Sequence, residues 1–176
     1  EDEGRIRNFT IREHFLTRIF TFARFREVKK SGAIKQLVNF HSTQKLLLLG
    51  CNQAQMRILG RIVANTDNEA FAGIVTRYEE HLKQALATPP RFTAMINVLE
   101  HAFGGFSKVL SKEEKAFFLE SVEEYRDERI PLSALLNVLR AWSIRYHNDY
   151  LLGQTLLQPY PGRLVEITDS GKGRKQ

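Results

Sequence analysis

Cysteine is almost missing from this 176-residue chain, with Cys51 standing alone. One thiol excludes a disulfide scaffold, a zinc ribbon, a Cys-X-X-Cys redox centre and an iron–sulfur cluster ligated by this chain alone. Long apolar runs are missing as well. No purely apolar stretch exceeds four residues, Leu46–Leu49 being one of that length, whereas a membrane-spanning helix needs about 20. The five histidines, at 14, 41, 81, 101 and 147, include no His-x-x-x-His and no His-Glu-x-x-His, the spacings that turn two imidazoles toward one zinc ion. There is no Gly-x-Ser-x-Gly elbow for a nucleophilic serine. Gly104-Gly105-Phe106-Ser107-Lys108 lacks the spacing of a phosphate-binding P-loop. It reads as a helix end and turn, with an amide nest for an anion as the alternative.

What is present suits a single globular domain. Apolar residues make up 43% and charged residues 26%, ordinary proportions for a folded chain long enough to bury a core without staples. The lone cysteine and the lack of an apolar leader point to a reducing, cytoplasmic setting, with no cofactor held by this chain and no membrane partner. Glu1 opens the sequence in place of Met, so residues 1–10 read as a polar linker from a preceding domain. Residues 11–164 read as the folded unit and 165–176 as a basic tail without fixed structure.

The net charge is +6, unevenly spread. Between Arg5 and Lys30 eight basic residues face two acids, Glu13 and Glu27, and the acids gather later, from Glu113 to Glu124. A basic end attracts phosphate at long range. The plainer reading is a solvated amphipathic helix.

Hydrophobic spacing of 3.6 dominates, and no alternating run is long enough for a convincing strand. It predicts an all-α single-domain bundle of about seven helices with short loops. The first spans about 11–30, with Ile11, Phe15, Ile19 and Phe22 as its inward stripe. The second spans about 33–49, is apolar on nearly every side toward its end, and stops at Gly50. The third spans about 53–64. Thr66-x-x-Glu69 is read as the capping box of a fourth that runs to about 87. The fifth covers about 91–103, and Ser111-x-x-Glu114 opens a sixth over about 112–128. Pro131 begins a seventh, a short piece follows over about 149–157, and 163–168 reads as an extended segment.

Two polar pairs interrupt apolar helices. His41 and Lys45 share a face of the second helix, and Asn97 and His101 share one of the fifth. Either they meet, with Arg126 and Arg140, in one polar cleft that positions a nucleotide, or each is a hydrogen-bonded pair fixing helix register. Tyr125-Arg126 and Tyr146 are candidates to face outward and stack on bases. Cys51 lies near a helix start, where a thiolate would gain from the helix dipole, but the better reading is a small hydrophobe.

Several stretches occur together in a familiar order: Leu37-Val38-x-Phe40-His41-x-x-x-Lys45-Leu46, Leu59-Gly60-x-x-Val63-Ala64, Asn97-Val98-Leu99-x-His101-x-x-Gly104-x-Phe106, Glu124-Tyr125-Arg126, Ile130-Pro131-Leu132, Tyr150-Leu151-x-x-Gln154 and Pro159-Tyr160-Pro161. Over roughly 30–164 the chain resembles the YbgA-type domain of unknown function. Family members often carry His-Ser where this chain has Gly50-Cys51. The family domain occurs alone or fused behind an iron–sulfur desulfidase domain of the thiouracil type, and the stretch from Glu3 to Phe20 resembles that junction. The resemblance implies an RNA-handling companion, transfer RNA being the expected partner, with the cluster and the chemistry on the N-terminal desulfidase domain. In that reading Arg12, Arg18, Arg24, Lys29 and Lys30 attract phosphates, and the His41/His101 cleft takes a base. A docking module for the desulfidase domain is the alternative, and a free-standing enzyme using the cleft comes third.

Overall fold

In the computed structural model, which describes residues 8–164, the chain forms eight α-helices, with no strand among the described residues. They are α1 (Phe9–Ser31), α2 (Ile34–Cys51), α3 (Gln53–Ala64), α4 (Phe71–Ala85), α5 (Phe92–Gly104), α6 (Lys112–Arg126), α7 (Leu132–Arg145) and the single turn α8 (Asp149–Leu152). Two 3-10 turns follow, at Thr155–Leu157 and Gly162–Leu164. The helical bundle expected from the 3.6 periodicity is therefore the fold. The expected tail, and most of the expected linker and extended segment, lie outside the described residues.

Local chemistry sets most helix ends. The Asn8 side chain accepts from the Ile11 amide at 3.2 Å and opens α1. Gly32, at φ 63°, closes it in the left-handed conformation that glycine tolerates without strain. Ser111 and Glu114 form the expected capping box of α6. The one expected at Thr66 does not form. Asn65, at φ 44°, ends α3, and its side chain bonds both the amide and the carbonyl of Glu69. The Glu69 carboxylate turns instead to Arg77, and α4 starts only at Phe71. Nor does α2 stop at Gly50. That residue is buried within the helix, against Met95 of α5, and Asn52 both ends α2 and caps α3.

The core falls into two apolar clusters. Phe25 and Val28 of α1 pack with Leu37, Phe40 and Leu48 of α2 and with the inner faces of α3 and α4. Leu46 and Leu47 of α2 pack with α5, α6, α7 and the C-terminal segment. Only α2 contributes buried side chains to both, as expected of a helix apolar on nearly every side.

The inward face of α1 differs from the expected stripe. Thr17, Thr21, Phe25 and Val28 are buried, Ile11, Phe15 and Phe22 are only half-buried, and Ile19 is 44% exposed. The helix is apolar on several sides, so spacing alone could not choose among them. Packing against α2 and the C-terminal segment made the choice.

One side chain ties the C-terminal segment into α2. Gln154, 4% exposed, accepts from the Leu46 amide at 3.1 Å and donates to the Ser42 carbonyl at 3.0 Å. Those two groups are four residues apart, the pair that closes one helical turn, so the amide sits across the ladder of α2. Next to it, Gln44 donates to the Thr155 hydroxyl at 2.7 Å. Removing the amide leaves polar groups of a buried helix without these partners, at a cost of about 1–3 kcal/mol. Gln154→Leu should lower unfolding free energy by about that amount in urea denaturation, and an unchanged midpoint would contradict the clamp.

Candidate functional site

Four of the five basic residues singled out on α1 are engaged within the molecule. Arg12 donates to the Leu164 carbonyl at 3.2 Å and Arg24 to the Pro159 carbonyl at 2.9 Å. Burial holds the Arg24 guanidinium below its ordinary value. Lys29 pairs with Glu79 of α4 at 2.6 Å, and Lys30 with Glu27 at 2.8 Å. Arg18 is half-buried and has no ion pair among the described residues.

The six residues of the expected polar cleft are dispersed over the bundle. His41 is half-buried, and its Nδ1 shares a hydrogen bond of 3.0 Å with the buried Tyr78 hydroxyl of α4. Its Nε2 faces Gly60 of α3, where a Cβ would lie 3.4 Å away. Burial first, and then the Lys45 charge, hold the imidazole below its usual value, which disfavours a cation there. Lys45 is exposed on the same face. Asn97 and His101 lie exposed on α5, off the stripe of Met95, Ile96, Val98, Leu99 and Ala102 that enters the core. Arg126 pairs with Glu123 at 2.7 Å, and Arg140 is exposed on α7. None of the six lines the cavity walled by Glu13 and Leu136 or the one between α1 and α2, and no hydrogen bond among the described residues joins His41 to His101. The apolar neighbours of Asn97 and His101 marked the helix as buried, but a few degrees of rotation decide which residues leave the core.

The tyrosines proposed to face outward turn inward. Tyr125 is buried with its ring 5.1 Å from that of Phe92. Tyr146 packs against Phe106 at 6.2 Å, with the Arg145 guanidinium over its face. The amides after Gly104 bond back to preceding carbonyls, so that turn is an ordinary helix end.

The α2–α3 pair carries exposed cations as well. From Val28 to Thr66 the sequence contains no Asp or Glu. The α2–α3 pair occupies most of that stretch and exposes Lys35, Lys45, Arg57 and Arg61. None of these four has an ion pair among the described residues. The signal was legible as a gap in the acids, hidden by the richer but internally paired cations of α1.

The second feature is a cavity of about 390 Å³. It lies between the N-terminal half of α1, the end of α2, the starts of α5 and α7, and the Pro159–Tyr160 segment. Leu47, Met95, Leu132, Leu136 and Leu156 give it an apolar body. Glu13, His14, Thr17, Tyr125 and Tyr160 bring polar groups to its wall. The Tyr160 hydroxyl donates to Glu13 Oε1 at 3.2 Å. Burial raises the Glu13 carboxyl above the usual carboxylate range, and the Tyr160 bond offsets part of that. Burial, then the Glu13 charge, push the Tyr125 phenol up to about 12. Cys51, also in the wall, is pushed up to about 12 by burial and stays a thiol. This cavity is hidden from a reading of spacing, because its walls come from segments far apart in the chain.

The His41 environment predicts a pH effect with a definite sign. A histidine whose folded pKa lies below its unfolded value near 6.5 costs stability as pH falls through that window, because the unfolded chain takes up the proton first. Urea denaturation between pH 7.5 and 5 should show wild type losing more stability on acidification than His41→Gln; equal losses would contradict the neutral His41–Tyr78 pair.

Comparison with known proteins fits this architecture to one family. The family model described as "Protein of unknown function (DUF1722)" matches residues 45–161. The chain is 27% identical over 158 residues to "Uncharacterized protein YbgA" of Escherichia coli (strain K12), an alignment covering 89% of this chain and 93% of that protein. No solved structure matches. With the family model covering more than half of its length, the chain belongs to the DUF1722 family of proteins of unknown function.

Proposed function

We propose that this domain binds structured RNA, transfer RNA foremost, through the α2–α3 face. In this reading it accompanies a 4-thiouridine or thiouracil desulfidase-type protein whose iron–sulfur chemistry resides on a separate N-terminal domain. The observation that carries the RNA reading is the exposed set Lys35, Lys45, Arg57 and Arg61 on an acid-free helical pair. Unpaired surface cations lose little when they meet phosphate, and the release of condensed counterions drives association. The cations of α1 would contribute less, since most already serve contacts within the fold. Nothing in this chain fits a cluster: its one thiol is buried and protonated, and a cluster draws on several thiolates. The division of labour places backbone binding here and the sulfur chemistry on the partner domain, which must act on an exposed base.

A second reading has its own observation. Ile19 is exposed and Phe15, Phe20 and Phe22 of α1 are only half-buried, and partly exposed apolar side chains of this kind suit docking against the desulfidase domain. The two readings use different faces and are compatible.

Fluorescence anisotropy with transfer RNA over a salt series, with duplex DNA as competitor, tests the first. Wild type should bind at micromolar concentration or tighter, steeply in salt, and DNA should compete poorly. Lys45→Glu/Arg57→Glu/Arg61→Glu should weaken binding and flatten the log–log salt slope by about 2, given about 0.7–0.9 per phosphate contact. Absence of binding at low salt would overturn the RNA reading and leave the docking one.

A further inference from the structure

We propose that the cavity between α1, α5, α6 and α7 is a binding site for a small organic amine with an apolar body. The proposal is independent of the RNA reading, because Leu47 and Cys51 of α2 line this cavity while Lys45 and the α3 arginines do not.

Three observations carry it. The first is size and lining. A volume of about 390 Å³ with a mainly apolar wall falls within the range of pockets that hold small molecules. The second is a set of polar groups with spare capacity at one end. Glu13 Oε1 accepts from Tyr160, while Glu13 Oε2, the Tyr125 hydroxyl and the Thr17 hydroxyl have no hydrogen bond among the described residues. These groups stand in the wall of the cavity, where the head of a ligand can bond them. The third is charge. The protein carries +6 overall, yet the wall holds two carboxylates, Glu13 and Glu128, and a single arginine. That arginine, Arg129, is already shared between Asp127 and Glu124, and Arg12, beside Glu13 in sequence, is directed to the Leu164 carbonyl.

A carboxylate flanked by aromatic rings is the chemistry that recognises ammonium. The rings of Phe92, Tyr125 and Tyr160 line the cavity, and aromatic rings attract a cation. An ammonium beside Glu13 restores the favourable field that burial removes from its anion. The aliphatic residues then take up the rest of the molecule. An anion in the same place would meet Glu13 without a free cation to offset it.

Ligand-observed NMR on the full chain decides, with 2-phenylethylamine, 2-phenylethanol and 3-phenylpropionate as cationic, neutral and anionic probes of similar shape. The amine should bind saturably at millimolar concentration or tighter, the alcohol at least tenfold more weakly, and the acid not measurably. Glu13→Gln should abolish the preference for amine over alcohol, with circular dichroism unchanged. Leu136→Phe, which fills the cavity, should weaken both and serves as the check if Glu13→Gln does not fold. No binding of the amine, equal binding of all three probes, or amine binding unaffected in the folded variants would overturn the proposal.

Discussion

Burial of α2 from both sides is the constraint on which the rest of the structure depends. A helix with Leu46–Leu49 at its end has no polar face there to give to water, so the chain must supply partners all round it. Helices α1, α3 and α4 cover one side, and α5 to α7 with the C-terminal segment cover the other. The buried side of α2 takes further partners as side chains reaching into it. Gln154 does this at Ser42 and Leu46, and Gln44 answers toward Thr155. The C-terminal segment is thereby drawn across the bundle, close enough to α1 for Glu13 to meet Tyr160 and for Arg24 to meet Pro159. The cavity exists because this strap and α1 close over the ends of α2, α5 and α7.

The same arrangement sorts the charges. Arginines on α1 are used to hold the strap, and lysines near its end meet acids of α1 and α4. The exposed cations of α2 and α3, by contrast, stand in a stretch of sequence without acids. The acids of α6 lie elsewhere, several of them paired with nearby arginines. Net charge is therefore a poor guide to the binding face, and the pairing of each cation is a better one.

Much of the fold was legible in the sequence. Helix periods, the Ser111 capping box and the all-round apolarity of α2 are local properties, and local chemistry expresses them directly. The misses share a cause as well. Thr66 lost its role because Asn65 bonded Glu69 first. Gly50 did not break α2 because the helix needs a small residue where Met95 approaches. The stripe of α1 and the outward rotation of Asn97 and His101 depend on which neighbour packs against each helix, which spacing does not state. Of the candidate site, the polar pairs were visible as i, i+4 patterns, but their placement was not. The cavity was least legible, since Glu13 and Tyr160 are separated by most of the chain and neither stands in a motif that marks it as buried.

The central claim of the proposed reading is that RNA meets the exposed cations of α2 and α3 and not the acid-bearing α6. Lysine acetylation read by mass spectrometry, with and without transfer RNA at moderate salt, tests this most directly. Lys35 and Lys45 should be protected by RNA while Lys112 of α6 labels at its free rate. Equal protection at all three, or protection at Lys112 alone, would contradict the account.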